Sequence, residues 1–236
     1  MTEIETLRYE LNKINSYPLE LKKVDCGING KGFFPGARGL SNDNDQTLSN
    51  KPIMILGHDF GAEGDYKNSV KRGCESQQAL TWSNLNKMLV HFDINENQCF
   101  FTNCIMGVRT DGESAIGKSI AFKYPEYLKD CKDLLIKQIA LQRPKLIIAL
   151  GLNIPEFLSS LSPSLLKLGK VKSFKRLDRE NLAAFKEIEF AGLLNFKTNI
   201  VIITHPTYWH LNVKHRKHDD IMGLDAEKKL IKQNIN

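Results

Sequence analysis

The sequence predicts an α/β fold in which helices cover both faces of a parallel β-sheet. Four short apolar runs recur along the chain, at residues 52–57, 98–103, 145–151 and 199–205. These runs lack the alternation of polar and apolar residues that is typical of a half-buried strand, so each is predicted to be a strand buried on both faces. Segments with the spacing of amphipathic helices lie between them, and the 236 residues are predicted to form one domain.

The chain begins with a predicted helix and a predicted loop. Residues 3–15 carry apolar side chains at helical spacing, which predicts an amphipathic helix. Residues 27–50 are rich in Gly, Asn, Asp and Ser and predict a long loop with "GFFPGARG" in its middle. That loop either closes over a site or has only a structural role. The first strand, "PIMILG", follows it directly.

Further helices are predicted between the strands and at the end of the chain. Residues 75–92 mix a polar with an apolar face, and residues 125–142 have a proline in the first turn and apolar side chains along one side. Residues 152–195 predict a short helix near "PEFLSSL", a basic stretch "KLGKVKSFKR" and a short peripheral strand. The chain closes with a predicted helix at about 219–234.

Composition and charge restrict the class of protein. Five cysteines without a C-x-x-C pair argue against a disulfide scaffold and against the common zinc or iron–sulfur spacings. No apolar run approaches the roughly 18 to 20 residues of a membrane helix. The polar N-terminus does not resemble a signal peptide, so a cytoplasmic protein without a membrane partner is expected. The net charge of +6 and the pI of about 9.0 favour a polyanionic partner weakly.

Polar side chains cluster where the predicted strands end. "GHDFG" closes the first strand, "TN" ends the second and "THP" follows the fourth. In a parallel α/β sheet, ligands bind at the carboxyl ends of the strands, near the point where the strand order reverses. A ligand site is therefore expected among these residues.

Four segments, in this order along the chain, resemble the motifs of the uracil-DNA glycosylase superfamily. They are "ILGHDFGAEGDY" (55–66), "FFTNCIMGVR" (100–109), "PKLIIALG" (144–151) and "ITHPTYWH" (203–210). The resemblance covers about 50–215 of a single domain at 1–236. It implies a three-layer sandwich with a central four-stranded parallel sheet, order 2-1-3-4, flanked by helices. It also implies a monomeric DNA glycosylase that needs no cofactor and hydrolyses the N-glycosidic bond of uracil or a related damaged base, as in base-excision repair.

The resemblance assigns roles to particular residues. Asp59 stands where the superfamily has a catalytic aspartate, and Gly61 matches a glycine that other branches use there. Asn103 matches the asparagine that recognises the uracil edge, and His205 matches the histidine of the His-Pro motif. Trp209 stands where the superfamily inserts an apolar wedge into the minor groove of DNA.

These residue types suit the cleavage of an N-glycosidic bond, which develops positive charge on the sugar and negative charge on the departing base. An aspartate stabilises the cation and orients a water molecule. A neutral histidine donates a hydrogen bond to the base oxygen, as in an oxyanion hole. An asparagine amide offers one donor and one acceptor to the O4 and N3–H edge of uracil. The base must first leave the stack, and an aromatic side chain then fills the gap.

Neighbouring residues are expected to complete the site. Gly57, His58 and Phe60 are expected to contact the base, with Phe60 stacking on its ring. Basic residues that follow the wedge are expected near phosphates, where added salt weakens binding. The residues expected to bind DNA are Thr207, Tyr208, Trp209, Lys214 and Arg216.

Purely structural roles are the alternative for the same residues. Asp59 could cap a turn, Asn103 could belong to a turn and His205 could be a core histidine. Tyr208 and Trp209 could pack under the C-terminal helix. No metal is expected, because the spacing of the histidines near the C-terminus fits no helical face.

The chain departs from the superfamily pattern in two motifs. Phe60 and Gly61 replace a Pro-Tyr pair, which removes the tyrosine that blocks the thymine methyl group. Thr207 replaces the serine that usually follows His-Pro. A catalytically silent nucleic-acid- or nucleotide-binding module on the same fold is therefore kept as an alternative function.

Residues 112–119, "GESAIGKS", match a phosphate-binding P-loop letter for letter. A P-loop follows its strand directly and opens a helix. Here the match begins nine residues after Asn103, and Pro125 lies within two turns of Lys118. No predicted strand ends in the aspartate that would hold magnesium. A surface loop is therefore expected, and a P-loop nucleotide hydrolase using this segment is a further alternative.

Overall fold

The computed structural model describes residues 2–24, 28, 30–36, 38–40, 51–110 and 116–235. Gly112 and much of the loop predicted over 27–50 lie outside these described residues. The α-helices are α1 (Glu3–Asn12), α2 (Glu63–Arg72), α3 (Leu80–His91), α4 (Pro125–Gln142), α5 (Pro155–Leu158), α6 (Phe174–Arg179), α7 (Trp209–Asn212) and α8 (Gly223–Lys232). The strands are β1 (Leu21–Lys23), β2 (Ile53–Gly57), β3 (Cys99–Asn103), β4 (Gly107–Arg109), β5 (Leu146–Leu150), β6 (Ala184–Ile188), β7 (Thr198–Ile203), β8 (Lys217–His218) and β9 (Ile221–Met222). Short 3-10 helices cover Glu96–Gln98, Ile120–Lys123, Pro163–Lys170, Pro206–Tyr208 and Val213–His215.

The central sheet has the strand order β3-β2-β5-β7-β6 over the described residues. β3, β2, β5 and β7 are parallel, and β6 pairs antiparallel with β7. The predicted α/β sandwich around a parallel sheet is confirmed, and its four parallel strands keep the predicted relative order. The predicted count of four strands and the order 2-1-3-4 are wrong for the whole sheet, because β6 joins its edge and makes the order 2-1-3-5-4.

β6 lacks the apolar character of the other strands in the sheet. Lys186 and Glu187 are exposed, and the register with β7 shifts between Phe185 and Ile188. An edge strand pairs on one side only, and charges and irregular pairing protect it from joining other chains. The short peripheral strand predicted in this part of the chain is confirmed, but no continuous apolar run marks it as a member of the central sheet.

Three strands of the central sheet consist of buried residues only. β2, β3 and β5 show this pattern over their whole length, as expected for strands covered on both faces. Among the flanking helices, α1 packs against α4, and α8 packs against β7. Within the described ranges, none of the helices combines the length and the apolar character that crossing a membrane requires.

α2 has no counterpart in the sequence prediction, because it has little apolar surface to create a periodic pattern. Its buried residue is Glu63, which forms ion pairs with Lys22 and Lys67. The helix has acidic residues in its first turn, basic residues in its last turn and Gly73 at a φ of 70° directly after it. These terminal features complement the helix dipole and close the carboxyl end, so they stabilise α2 without a large apolar face.

The carboxyl ends of the parallel strands lie at one edge of the sheet. β2 ends at Gly57, β3 at Asn103, β5 at Leu150 and β7 at Ile203. Gly57 and Asn103 are direct partners in the parallel register of β2 and β3. The residues that follow these strands therefore converge, as the sequence predicts for the ligand site.

Candidate active site

A cleft of about 780 Å³ opens at the carboxyl ends of the parallel strands, and we call it the strand-end cleft. Its volume is within the range of about 300–1,000 Å³ that is common for small-molecule sites. The predicted residues that line it are Gly57, His58, Asp59, Phe60, Asn103, His205, Thr207 and Tyr208. The structure thus places the predicted acid, amide and imidazole in the lining of one pocket. Their chemical roles stay predictions.

The Asn103 side chain occupies space that a side chain at residue 57 would take. A Cβ atom built on Gly57 would lie 2.1 Å from Asn103 Oδ1 and 3.2 Å from Phe33 Cε1. Any residue larger than glycine where β2 ends would therefore displace the amide from this position. Asn103 is only 4% exposed, so its amide has a fixed environment within the strand-end cleft.

The His205 ring is held as a neutral imidazole with a defined tautomer. The Thr207 backbone N–H donates a hydrogen bond to His205 Nδ1 at 3.2 Å. Since a backbone N–H can only donate, Nδ1 accepts and the neutral ring carries its proton on Nε2. Burial and, to a smaller extent, nearby His58 lower the pKa of His205 to about 4, and Asp59 opposes the shift. His205 therefore offers an Nε2–H donor at neutral pH.

The turn that carries His205 is fixed by α3 and by the end of β5. Asn84 Nδ2 donates to the Pro206 carbonyl oxygen at 2.9 Å, and the hydroxyls of Thr81 and Thr207 are 2.7 Å apart. A Cβ atom on Gly151, whose φ is 94°, would lie 3.0 Å from His205 Cβ. These contacts place the imidazole against the strand ends.

Asp59 is engaged in a buried ion pair with Arg109. Asp59 Oδ2 accepts from Arg109 Nε at 2.8 Å and lies 2.7 Å from Nη2, and the two side chains are 7% and 3% exposed. The other carboxylate oxygen, Oδ1, accepts from the Gly61 backbone N–H at 3.0 Å. Arg109 also donates to the Gly117 carbonyl oxygen at 2.9 Å. The guanidinium thus connects the acid to the loop after β4.

Arg109 is the main site residue that the sequence analysis missed. It lies within the matched segment "FFTNCIMGVR", but a single arginine at the end of an apolar segment does not indicate its partner. The ion pair fixes the orientation of the Asp59 carboxylate, and it also compensates most of the negative charge that would stabilise a sugar cation. Oδ1 keeps a lone pair that can orient a water molecule.

His58 is buried beside the ion pair. Its Nδ1 lies 3.6 Å from Asp59 Oδ2, and its ring stacks on Phe122 with centroids 6.0 Å apart. Burial lowers the pKa of His58, Asp59 opposes that shift and Arg109 adds to it. Its Nε2 has no hydrogen-bond partner among the described residues. Contact between His58 and a base stays a prediction.

Phe33, from the "GFFPGARG" segment, is an aromatic residue of the cleft to which the sequence analysis gave no role. Its ring lies beside the Gly57 and Asn103 pair and 5.2 Å from the ring of Trp82. Phe60, the predicted stacking residue, lines the same cleft and contacts Tyr66 edge to face at 5.7 Å. The structure therefore offers two aromatic rings, one beside the amide and one beside the acid.

Glu75 fixes the aromatic wall formed by Phe33 and Trp82. Its carboxylate oxygens accept from the Phe33 backbone N–H at 2.8 Å and from Trp82 Nε1 at 2.5 Å. Burial raises the pKa of Glu75 to about 7, although both hydrogen bonds lower it. The sequence predicts a helix that begins at residue 75, but α3 begins at Leu80. Glu75 lies outside the helix because its carboxylate is bound to the wall of the cleft.

The predicted DNA-binding residues separate into exposed and buried ones. Tyr208 is 39% exposed at the rim of the cleft, with its ring 6.4 Å from that of His205. Trp209, the predicted wedge, is half-buried and packs against the hydrophobic core. The exposed aromatic side chain is thus one residue earlier than the resemblance implies. Lys214 is exposed, which is compatible with its predicted contact to phosphate.

The prediction that Arg216 contacts phosphates is wrong. Its side chain is 2% exposed and lies 2.8 Å from Glu227 Oε1 and 3.0 Å from Asp178 Oδ1. It also donates to the Ile202 carbonyl oxygen at 2.9 Å. Arg216 compensates two buried carboxylates, whereas a basic run in the sequence alone suggests an exposed cation.

The described part of the P-loop match has structural contacts. Lys118 pairs with Glu156 at 2.6 Å, and Ser119 Oγ accepts from the Ala121 backbone N–H at 3.3 Å. The helix that follows is the 3-10 helix Ile120–Lys123, not the α-helix that a P-loop opens. The P-loop hypothesis therefore lacks the helix N-terminus that it requires. Gly112 lies outside the described residues.

Comparison with known proteins adds one match. A family model described as the uracil DNA glycosylase superfamily matches residues 46–223, which is most of the chain. No curated protein matches it. The matched region contains the strand-end cleft with Asp59, Asn103 and His205. In the part of the chain that the structure describes, no group of three or more His, Cys, Asp or Glu side chains is arranged to hold a metal ion.

Proposed function

Because the chain belongs to the uracil-DNA glycosylase superfamily, we propose that it hydrolyses the N-glycosidic bond of uracil or a related damaged base in DNA. The observation that carries this proposal is the shared cleft in which the Asn103 amide and the neutral His205 ring meet beside Asp59. The base enters this cleft after leaving the helical stack, because its glycosidic bond is not accessible inside a duplex.

His205 is proposed to stabilise the departing base. Its Nε2–H donates a hydrogen bond to a base oxygen that gains negative charge as the bond to the sugar breaks. The pKa of about 4 keeps the donor neutral at physiological pH. A preorganised donor of this kind contributes more in the transition state than in the ground state, because the oxygen becomes more negative.

Asn103 is proposed to recognise the base. An amide presents one acceptor and one donor group, which complement the N3–H and O4 edge of uracil. Gly57 leaves the space in which the amide lies, and Phe33 provides an aromatic surface beside it. A pyrimidine in this position would contact the amide at its edge and an aromatic ring at its face.

Asp59 is proposed to orient the attacking water molecule through Oδ1. Its Oδ2 is occupied by Arg109, so the electrostatic stabilisation of a sugar cation by this carboxylate is weaker than for an unpaired aspartate. We therefore assign the larger share of the rate acceleration to His205 and to the placement of the base.

The Asp59–Arg109 ion pair is also the observation that favours a second candidate function. A module that binds an extruded base or a nucleotide without cleaving it would need the amide and the aromatic wall but no free carboxylate. Such a protein would bind DNA that contains the lesion and release no base. This candidate has the same fold and the same cleft.

A panel of labelled oligonucleotides, each with one damaged base, tests the two candidates. The protein is incubated with each oligonucleotide, and alkali then cleaves the strand wherever a base has been removed. Cleavage at uracil or at another single lesion supports the glycosylase. Specific binding without cleavage for every member of the panel supports the silent module and overturns the enzymatic proposal.

A further inference from the structure

A second cavity of about 1210 Å³ lies beside the strand-end cleft, and we call it the basic groove. It is lined by residues of α6, β6, β8 and the end of α8. Leu152, Phe174 and Asn212 line both the groove and the cleft, so the two cavities share a wall.

The lining of the basic groove is rich in positive charge. The Lys and Arg side chains that line it are Lys172, Lys175, Arg179, Lys186, Lys214 and Lys217. The two carboxylates in the lining are already neutralised, since Asp178 pairs with Arg216 and Asp219 pairs with Lys229 at 2.6 Å. The groove therefore has an excess of positive charge that its own acids do not compensate.

Most of these cations are available to a ligand. Lys172 and Arg179 pair with Glu156 and Glu180. The remaining four have no carboxylate within ion-pair distance over the described ranges, and all four are exposed; they are Lys175, Lys186, Lys214 and Lys217. Four exposed amines around a concave surface are an arrangement that attracts a polyanion.

The floor of the groove is a fixed structure. The Lys217 backbone N–H donates to Asp178 Oδ2 at 2.9 Å, and the same oxygen accepts from Arg216 Nε at 3.1 Å. The Arg216 guanidinium also lies 5.0 Å from the centre of the Phe174 ring. The buried arginine thus connects the wall at Phe174 with the strand that carries Lys217.

We propose that the basic groove binds the phosphodiester backbone of a single DNA strand that continues, on one side, from the nucleotide in the strand-end cleft. This inference rests on the proposed function. A strand whose base is in the cleft must continue past the rim, and the shared wall leads it to the lysines. Positively charged grooves with some apolar lining follow single strands in many proteins.

The inference is tested by fluorescence anisotropy with uracil-containing oligonucleotides of three designs. The first is so short that its uracil lies close to both ends. The second is extended by several nucleotides on the 5′ side of the uracil, and the third is extended equally on the 3′ side. For the wild-type protein, one of the two extensions is expected to tighten binding about tenfold and the other is not, because the groove lies on one side of the cleft.

The double variant Lys175→Ala/Lys217→Ala is expected to lose the gain in affinity that one extension gives. The slope of log Kd against log salt is expected to fall by about 2, since each lysine that contacts a phosphate contributes about one unit. A matched double variant, Lys129→Ala/Lys145→Ala, removes the same charge at positions that line neither cavity, and it should retain the gain. Circular dichroism confirms that both variants are folded.

The inference would be overturned by equal effects of the two extensions in the wild-type protein, or by an unchanged gain in affinity in the groove variant. A loss of the gain in both double variants would also overturn it, because net charge and not the groove would then explain the binding. The anisotropy assay needs no turnover. Absence of base release, with the one-sided gain retained, would therefore refute the proposed enzymatic function but leave the groove in place.

Discussion

His205 and Asp59 face the same cleft, but their surroundings prepare them for different tasks. The His205 ring has a depressed pKa of about 4 and a backbone donor on Nδ1, which together leave an Nε2–H for a ligand. Asp59 accepts hydrogen bonds on both carboxylate oxygens and pairs with Arg109. Catalysis by this pair should therefore depend more on the imidazole than on the acid.

The first prediction concerns the donor. His205→Ala should slow base release by about 10²–10³-fold, the usual effect of removing one oxyanion-type hydrogen bond. Single-turnover kinetics on an oligonucleotide with the cleaved base measure this rate. His210→Ala is the matched control, since His210 is exposed and does not line the cleft. Comparable rates for the two variants would remove His205 from the mechanism.

The second prediction concerns the acid. Asp59→Asn keeps the shape of the side chain and should slow base release by less than about 10²-fold, because Arg109 already compensates the charge that a general base would use. The same single-turnover assay measures the effect, with Asp133→Asn on the exposed face of α4 as the control. A loss larger than that of His205→Ala would contradict our division of roles.

The third prediction concerns pH and stability. The pKa of His205 is about 4 in the folded protein, below the ordinary value of 6.5, so the unfolded chain binds an extra proton between these two pH values. The contribution of His205 to stability is thus present above pH 6.5 and is lost as the pH falls towards 4. Denaturant unfolding should show that, as the pH falls over this interval, the free energy of unfolding decreases by up to about 3 kcal/mol more for the wild-type protein than for His205→Gln. If the free energy of unfolding of the two proteins changed with pH in the same way, the His205 imidazole would not be desolvated in the folded state.

At the scale of secondary structure, the pairing of β2 with β3 creates the site that we propose for base recognition. The parallel register brings Gly57 opposite Asn103, so the absence of a side chain on one strand makes room for the amide of the other. The structure shows this dependence through the distance of 2.1 Å between a Cβ atom on residue 57 and Asn103 Oδ1. The position of the Asn103 amide thus depends on a pair of strands and not on a single residue.

The fourth prediction follows from this pairing. Gly57→Ala should leave the sheet intact but displace the amide, and Kd for the lesion-containing oligonucleotide should rise about tenfold or more, as for the loss of a base contact of ~1–3 kcal/mol. Gly64→Ala is the control, because a Cβ atom there meets nothing within 4 Å. Anisotropy measures both variants. Equal affinities would show that the Asn103 amide does not recognise the base.

Elements differ in how far the sequence predicts them. Strands buried on both faces are visible as apolar runs, and the proline at the start of α4 marks a helix N-terminus, so both are predicted correctly. α2 and β6 have little buried surface, and the periodic signal on which prediction depends is weak in both. Their positions depend on caps, ion pairs and pairing with a neighbouring strand.

The site residues show the same limit. Asp59, Asn103 and His205 directly follow or end strands, so the sequence places them at one edge of the sheet. Arg109, Phe33 and Glu75 join them through contacts between segments far apart in the chain, and no local pattern marks these contacts. Arg216 belongs to a basic run, a local pattern that predicts an exposed side chain, but the residue is buried against two acids.

At the scale of the whole molecule, the distribution of charge is more informative than the net charge of +6. Arg109 and Arg216, two strongly buried cations, compensate internal carboxylates, so their charges add little to the attraction of a polyanion. The exposed lysines around the basic groove lie next to the cleft instead. The proposed function and the proposed groove together give the molecule a pocket for one base and an adjoining surface for the backbone that carries it.

The release of free base from an oligonucleotide with a single uracil tests whether this combination forms an enzyme. Chromatography of the products should show free uracil and an abasic strand for the wild-type protein, and strongly reduced amounts for Asn103→Ala and His205→Ala. Both variants should remain folded, since the two side chains lie at the ends of their strands. Bound oligonucleotide without any free base from the wild-type protein, or undiminished release by both variants, would contradict the assignment of the cleft as a base-excision site.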